Sequence, residues 1–254
     1  MTKKQTWALG VAFVTLQAIL YYFMLFGNGV SGGDLHGNTS RYALVVLSFL
    51  FALCFIDVKK PTALINAGLF FTVIADYYLI LASPINKEAG VLAFSVTQLC
   101  YFAYLFLQEN RKKFRVANVA VRVAVLLVAE IVAVVLLGEK TDFLSVITVF
   151  YISNFAVNIA FAFMMGKPQL FFAIAMCWFI MCDLFVGFSV AIGDYFNIPE
   201  SSWFYRLIFS DFDFIWFFYA PSQVMIALKV MIERVMGKSG DKNTIYHNRV
   251  DNLK

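Results

Sequence analysis

The chain has 254 residues, of which 61% are hydrophobic, 18% are aromatic and only 14% are charged. This small polar fraction cannot cover the surface of a water-soluble globular protein. The composition therefore excludes a soluble protein and indicates an integral membrane protein. The formal net charge of +4 is small, and we infer no nucleic-acid partner from it.

Apolar runs of about 20 residues, the helix length that crosses a hydrocarbon core roughly 30 Å thick, recur along the whole chain. They predict an all-α fold, a polytopic membrane helix bundle with about eight transmembrane helices. In chain order we expect these helices at residues 7–26, 42–57, 62–82, 90–107, 117–137, 144–165, 169–192 and 212–232.

The connections between these helices are short and contain no Ser/Pro-rich linker. We therefore expect residues 1–236 to form a single transmembrane helix-bundle domain and residues 237–254 to form a polar cytoplasmic tail. Lys and Arg are concentrated at the N-terminus, in alternate loops and at the start of the tail. By the positive-inside rule this predicts a multi-pass protein with both termini in the cytoplasm.

The cysteines and histidines give no metal-binding pattern. The four cysteines lie within predicted helices and form no C-x-x-C pair, and the two histidines, His36 and His247, lie outside the predicted spans. We therefore expect no disulfide framework, no metal site and no cofactor.

Two predicted helices carry an acid at the same depth: Asp76 in the helix that begins near residue 62, and Asp183 in the helix that begins near residue 169. An ionisable side chain at this depth costs roughly 2.5–3.5 kcal/mol on insertion scales, so a function is its default interpretation. The alternative is that each acid is a hydrogen-bonded packing residue.

The helix after each acid carries a hydroxyl residue next to a glutamine: Thr97 and Gln98 in one case, Ser222 and Gln223 in the other. Because these two pairs lie four helices apart, the pattern suggests a parallel internal repeat of four helices.

Other polar residues lie on the same helical faces and can converge with the acids only inside the bundle. These are Tyr101 beside Gln98, Tyr219 beside Gln223, and Tyr151, Asn154 and Asn158 along the sixth helix. For the two asparagines, interhelical hydrogen bonding is the simpler interpretation. We expect Gly187, one turn beyond Asp183, to let another helix approach closely, and Arg122 in the fifth helix to extend toward the cytoplasmic surface.

Five short segments follow one another in an order that is typical of a known family. They are KKPTAL at 59–64, FTVIADYYLIL at 71–81, GVLAFSVTQLCYFAYLF at 90–106, CWFIMCDLFVGF at 177–188 and FFYAPSQVMIAL at 217–228. Together they resemble the motifs of the YhhN family, lysoplasmalogenase-like membrane proteins with about eight spans.

The resemblance implies which residues of this chain correspond to the family's motif positions. They are Lys60 with Pro61, Asp76, Tyr101, Asp183, Tyr219 and Gln223. The chain departs from the family pattern at Ala75 (commonly Gly), Cys182 (commonly Ser) and Gln98 (commonly His). If that His transfers protons in relatives, its replacement puts this chain's activity or substrate in doubt.

The resemblance also implies a reaction, the hydrolysis of the vinyl-ether bond of a lysoplasmalogen to a fatty aldehyde and a glycerophospho-alcohol. Protonation of the β-carbon creates an oxocarbenium-like cation, which water attacks. Asp76 and Asp183 are the expected catalytic pair, one as the proton donor and one as the carboxylate that stabilises the cation and activates water, with the two roles not assigned.

The expected substrate-binding or water-positioning residues are Gln98, Tyr101, Tyr151, Asn158, Tyr219, Gln223 and Lys60. Of these, Lys60 is the least compatible with a single site, because it lies about 20 Å along a helix from Asp76. An anchor at the cytoplasmic surface is the simpler role for it.

The expected partners are a lysophospholipid or another amphiphilic lipid and the surrounding bilayer. A different class of function fits the same residues, because parallel repeats with paired intramembrane acids also occur in proton-coupled transporters or binding proteins for lipids and small amphiphiles. A sensor or scaffold without chemistry is a third interpretation.

Overall fold

The computed structural model describes residues 1–26, 35–194 and 198–251, with side chains described outside 35–36, 193–194 and 237–251. Within these ranges the chain is helical, as the sequence predicts. The helices are α1 (Lys3–Phe26), α2 (Leu35–Leu53), α3 (Thr62–Asp76), α4 (Lys87–Gln108), α5 (Lys112–Leu137), α6 (Phe143–Met164), α7 (Lys167–Asp194), α8 (Trp203–Ile208) and α9 (Phe214–Asp251).

All eight predicted helices have a counterpart, and two of them differ clearly from their expected bounds. Helix α2 begins at Leu35 rather than near 42. Helix α9 continues to Asp251, so the backbone of the predicted tail is helical as far as that residue. The last three residues of the predicted tail, 252–254, lie outside the described part of the chain.

Among the described residues, seven helices are long and apolar enough to cross a membrane, and residues Gly37–Leu53 of α2 form a shorter apolar helix. The protein is therefore an integral membrane protein. The short helix α8 carries Trp203, whose side chain is exposed, on the connection between α7 and α9. An exposed tryptophan at such a place is typical of the membrane interface.

Six helices pack in a closed ring, in the order α2, α3, α4, α6, α7, α9 and back to α2. Helix α1 lies outside the ring against α9 and α2, and α5 lies outside it against α6. The succession α2–α3–α4 in one half corresponds to α6–α7–α9 in the other. This arrangement fits the parallel repeat that the sequence suggests.

Gly68 permits the close contact of α3 and α4. A Cβ atom at Gly68 would lie 2.3 Å from the ring of Tyr101, whereas nothing lies within 4 Å of a Cβ placed at Gly187. The expectation that Gly187 admits a neighbouring helix is therefore wrong, because Gly187 is exposed and no other described helix reaches it. Gly68 has that role in α3.

The two ends of the bundle are tied by different contacts. At the end that carries the basic turns, called the basic end below, Arg234 of α9 donates a hydrogen bond of 3.2 Å to the carbonyl of Ile56, and Lys229 pairs with Glu233 at 2.9 Å. At the opposite end Arg41 of α2 forms an ion pair with Asp213, immediately before α9.

Candidate functional site

Asp76 is the last residue of the α-helical part of α3, and a single π-helical turn, Tyr77–Leu81, follows it directly. Such a turn weakens the regular backbone hydrogen bonds, and it occurs often at functional sites. Here the carbonyl of Ile80 accepts a hydrogen bond of 3.3 Å from the side chain of Asn38 in α2. The turn thus marks the point in α3 where the acid lies.

The carboxylate of Asp76 is enclosed and has one firm partner. Its side chain is 3% exposed, and it accepts a hydrogen bond of 2.6 Å from the hydroxyl of Tyr219 in α9. Two residues after Tyr219 comes Pro221, which has no N–H and therefore leaves the carbonyl of Phe217 without its helical donor. The hydroxyl of Tyr21 in α1 donates to that carbonyl at 2.9 Å, which holds this irregular segment of α9 in place.

Asp183 has the corresponding arrangement in the other half of the ring. It is partly buried in α7 and accepts a hydrogen bond of 2.5 Å from the hydroxyl of Tyr151 in α6. Each acid is therefore oriented by one tyrosine from a neighbouring helix. The helix that supplies the tyrosine differs between the halves. Asp183 is bound from α6, the neighbour of α7 in the ring, whereas Asp76 is bound from α9, which contacts α3 directly although α2 lies between them in the ring order.

The two acid–tyrosine pairs lie in one region of the bundle. The ring of Phe179, one turn before Asp183 in α7, has its centroid 5.3 Å from that of Tyr219. The centroid of the Phe179 ring also lies 5.7 Å from that of Phe94, which in turn lies 5.7 Å from that of Tyr151. The structure thus brings together the two acids that the sequence singled out.

Three of the expected positioning residues keep a buried polar atom without a hydrogen-bond partner in the described part of the chain. These atoms are Nε2 of Gln98, the hydroxyl of Tyr101 and Oε1 of Gln223. Buried polar groups are normally paired with protein or with ordered water. Side chains that leave such atoms free are suited to hold water or a polar part of a ligand.

Gln98 is held in place by Asn158 of α6. The side-chain amide of Asn158 donates to both the backbone carbonyl and Oε1 of Gln98, at 2.9 and 3.0 Å. Because these contacts use the oxygen of the Gln98 amide, its nitrogen is the end that remains free. Asn158 is therefore a residue that orients Gln98.

Behind Asn158 lies Arg122 of α5. Its guanidinium donates to the side-chain oxygens of Asn158 at 2.7 Å and Asn154 at 2.6 Å, and its centre lies 4.2 Å from the ring centroid of Phe102. The side chain is 6% exposed, so the expectation that it extends to the surface is wrong. The physical reason is that α6 presents two amide oxygens at the same depth.

Lys60 is separated from the other candidates. It is exposed in the turn before α3, more than ~20 Å along the helix from Asp76. The remaining eight candidates lie on the ring helices α3, α4, α6, α7 and α9.

Sequence reasoning missed Cys182, Phe179 and Asn118 as parts of this region. Asn118 stands one turn before Arg122 and accepts from its guanidinium at 3.4 Å, and this i, i+4 spacing was the available signal. The places of Cys182 and Phe179 depend on which neighbouring helix each faces, which spacing along α7 does not give.

No group of three or more His, Cys, Asp or Glu side chains that could hold a metal ion occurs among the described residues. The chemical groups that the region offers are two carboxyl groups, two tyrosine hydroxyls that bind them, and three side chains with free polar atoms. This set can transfer a proton and bind water or a polar ligand.

Fold and site together define an all-α integral membrane protein with a pair of tyrosine-bound carboxyl groups inside its ring of helices. Residues 38–230 match the model of the YhhN family, and because this covers most of the chain, the chain belongs to the YhhN family. Neither the curated proteins nor the solved structures contain a match to this chain.

Proposed function

We propose that this protein is a membrane-embedded hydrolase that cleaves the vinyl-ether bond of lysoplasmalogens. The observation that supports the proposal most is the pairing of Asp76 with Tyr219 and of Asp183 with Tyr151 in one region. Vinyl-ether hydrolysis needs one group that donates a proton and another that receives one. The resemblance of its motifs to those of the lysoplasmalogenase-like YhhN proteins supports the same class of reaction.

The proposed reaction has two steps. One carboxyl group, in its protonated form, gives its proton to the β-carbon of the vinyl ether, and the electron pair of the ether oxygen forms the oxocarbenium-like cation. Water then adds to the α-carbon, and the second carboxylate takes a proton from that water molecule. The resulting hemiacetal gives its hydroxyl proton to the first carboxylate and breaks its bond to the glycerol oxygen, which takes a proton from the second carboxyl group. The aldehyde and the glycerophospho-alcohol leave, and both carboxyl groups are back in their starting forms.

The surrounding side chains supply the positions that this chemistry requires. Tyr219 and Tyr151 fix the two carboxyl groups, and the free polar atoms of Gln98, Tyr101 and Gln223 hold the attacking water and the hemiacetal oxygen. Lipid substrate reaches such a site from the bilayer, in which the whole bundle is embedded. We also propose that both termini of the multi-pass chain lie in the cytoplasm, because the basic turns and the N-terminal lysines then lie on the cytoplasmic side of the membrane.

The test is to incubate the purified protein in micelles with a lysoplasmalogen and, separately, with an ester lysolipid of equal chain length. We expect free aldehyde from the first, no fatty acid from the second, and a loss of aldehyde release of at least about 100-fold in Asp76→Asn and in Asp183→Asn. Asp211→Asn, which changes an exposed acid outside the ring, is the matched control and should keep its activity.

Two outcomes would contradict the proposal. Unchanged turnover in both aspartate variants excludes the two-carboxyl mechanism. Specific binding of the lysolipid without any turnover, together with proton-dependent uptake in vesicles, favours the alternative of a lipid transporter or binding protein, which the paired intramembrane acids also fit.

A further inference from the structure

A groove lies between α4 and α5 at the basic end of the bundle, away from the two acids. Its volume is about 670 Å³, and it is open to the outside. The side chains that line it include Phe106, Lys112, Arg115, Val116 and Val119. It combines an apolar wall with positive charge, and the proposed hydrolysis uses none of these residues.

The groove exists because α5 packs mainly on α6 and approaches α4 through long side chains. The Arg115 guanidinium lies 5.2 Å from the ring centroid of Phe106, and that of Arg122 lies 4.2 Å from the ring centroid of Phe102. These two arginine–aromatic contacts connect the helices without bringing their backbones together. The space between the helices therefore stays open toward the lipid.

The positive charge at the mouth of the groove is not compensated by the neighbouring acid. Glu109 is bound by Arg111, whose guanidinium approaches to 2.6 Å and lowers the pKa of this carboxyl to about 2. Arg115 donates only to the backbone carbonyl of Glu109, at 2.5 Å. Among the described residues no salt bridge joins Lys112 or Arg115 to an acid.

We propose that this groove binds an anionic phospholipid of the surrounding bilayer, with its phosphate on Lys112 and Arg115 and one acyl chain along Phe106, Val116 and Val119. Both cations stand in the first turn of α5, where the helix leaves the bilayer and lipid head groups lie. Charge complementarity decides the occupant, since basic residues beside a membrane span attract anionic lipids. The exposed valines behind them match a hydrocarbon chain. This inference does not depend on the proposed hydrolysis.

The test compares the retention of phosphatidylglycerol and of phosphatidylcholine with the same acyl chains, by native mass spectrometry of the purified full chain. We expect the wild-type protein to prefer phosphatidylglycerol, and Lys112→Gln/Arg115→Gln to lower its affinity by about tenfold. Lys112→Gln alone, at an exposed position, should give a smaller loss in the same direction. It keeps the test valid if the double variant folds poorly.

Two further variants separate the groove from general surface charge. Lys59→Gln/Lys60→Gln removes the same charge at the same end of the bundle and should change phosphatidylglycerol binding less than about twofold. Val119→Trp keeps the charge but fills the groove, and it should weaken binding as the double variant does. An equal loss in both lysine-containing double variants overturns the proposal. So does a dimer in the wild type that Val119→Trp dissociates, because a second copy of the chain would then occupy the groove.

Discussion

At the scale of single residues, each of the two acids is oriented by one tyrosine hydroxyl. Removing that hydroxyl leaves the carboxyl group in place but frees it to rotate. A hydrogen bond to a charged group contributes about 1.5–3 kcal/mol, which corresponds to a tenfold to hundredfold effect on rate. We therefore expect Tyr219→Phe and Tyr151→Phe each to lower the rate of aldehyde release by about that factor.

The matched control for this prediction is Tyr77→Phe. Tyr77 follows Asp76 in the chain, but its side chain is 47% exposed and gives the acid no hydrogen bond. Its variant should retain full activity in the aldehyde assay. Equal losses in all three tyrosine variants would mean that the hydroxyls matter for folding rather than for orienting the acids.

Arg122 supports a second prediction at this scale, on stability. Arg122→Leu takes the donor from the buried oxygens of Asn154 and Asn158, and each buried group left unpaired costs about 1–3 kcal/mol. Part of this cost is offset because the variant no longer buries a charge. We expect the free energy of unfolding in detergent to fall by about 2 kcal/mol.

Arg206→Leu is the control, since Arg206 is exposed on α8 and its loss should change stability by less than about 0.5 kcal/mol. Denaturant unfolding followed by circular dichroism measures both. If the two variants unfold at the same concentration of denaturant, the asparagine cluster around Arg122 does not stabilise the fold.

The residues of the site that could be predicted from the sequence are those whose side chains are unusual in lipid. The acids and amides stand out in apolar helices because burying them is costly, and five of the nine candidates, Asp76, Asp183, Gln98, Asn158 and Gln223, came from that signal. Their partners could not be predicted, because the contact of Tyr151 with Asp183 requires that α6 lies beside α7 at a matching depth. For the same reason the sequence predicted a surface position for Arg122.

At the scale of elements, the period and length of the apolar runs could place the helices, and local irregularities escaped prediction. The π-helical turn after Asp76 has no signal in the sequence YYLIL, since it arises where α3 packs on α2 and α4. The early start of α2 escaped because its first turns are polar. The two irregularities are in contact with each other, since Asn38 near the start of α2 donates a hydrogen bond to the carbonyl of Ile80 in the π-helical turn.

A prediction at this scale concerns the contact between α3 and α4. Gly68→Ala places a methyl group where the buried ring of Tyr101 lies 2.3 Å away, so the two helices must separate or the ring must move. Such overpacking costs about 1–3 kcal/mol. We expect a lower temperature of thermal unfolding and reduced aldehyde release, because Tyr101 is displaced.

Gly187→Ala makes the same change on α7, where a Cβ meets nothing within 4 Å. We expect this variant to be as stable as the wild type or slightly more stable, because alanine favours a helix over glycine. A stability loss at Gly187 equal to that at Gly68 would show that the methyl group acts through something other than the α3–α4 contact.

At the scale of the whole molecule, the contacts at the two ends show how far α2 extends. Its first half meets the start of α9 through Arg41 and Asp213, and the turn after it meets α9 through Ile56 and Arg234. The stretch of α9 between these contacts, residues 213–234, is about 30 Å long, the thickness of the hydrocarbon core. Helix α2 and its turn therefore extend from one side of the bundle to the other, although its apolar part is shorter than that of the other seven helices.

This arrangement predicts that the chain crosses the membrane eight times, so that its two ends lie on the same side. Seven crossings, with α2 confined to one surface, would put them on opposite sides. We expect reporters fused at the N-terminus and after Lys254 to give the same compartment, and one fused between α1 and α2 to give the other. Single cysteines in a cysteine-free variant check this independently. An impermeant thiol reagent should label cysteines introduced at positions 60 and 112 from the same side as the termini, and a cysteine introduced at position 211 from the opposite side. Opposite signals from the two terminal fusions would contradict the eight-span arrangement, whatever activity the protein shows.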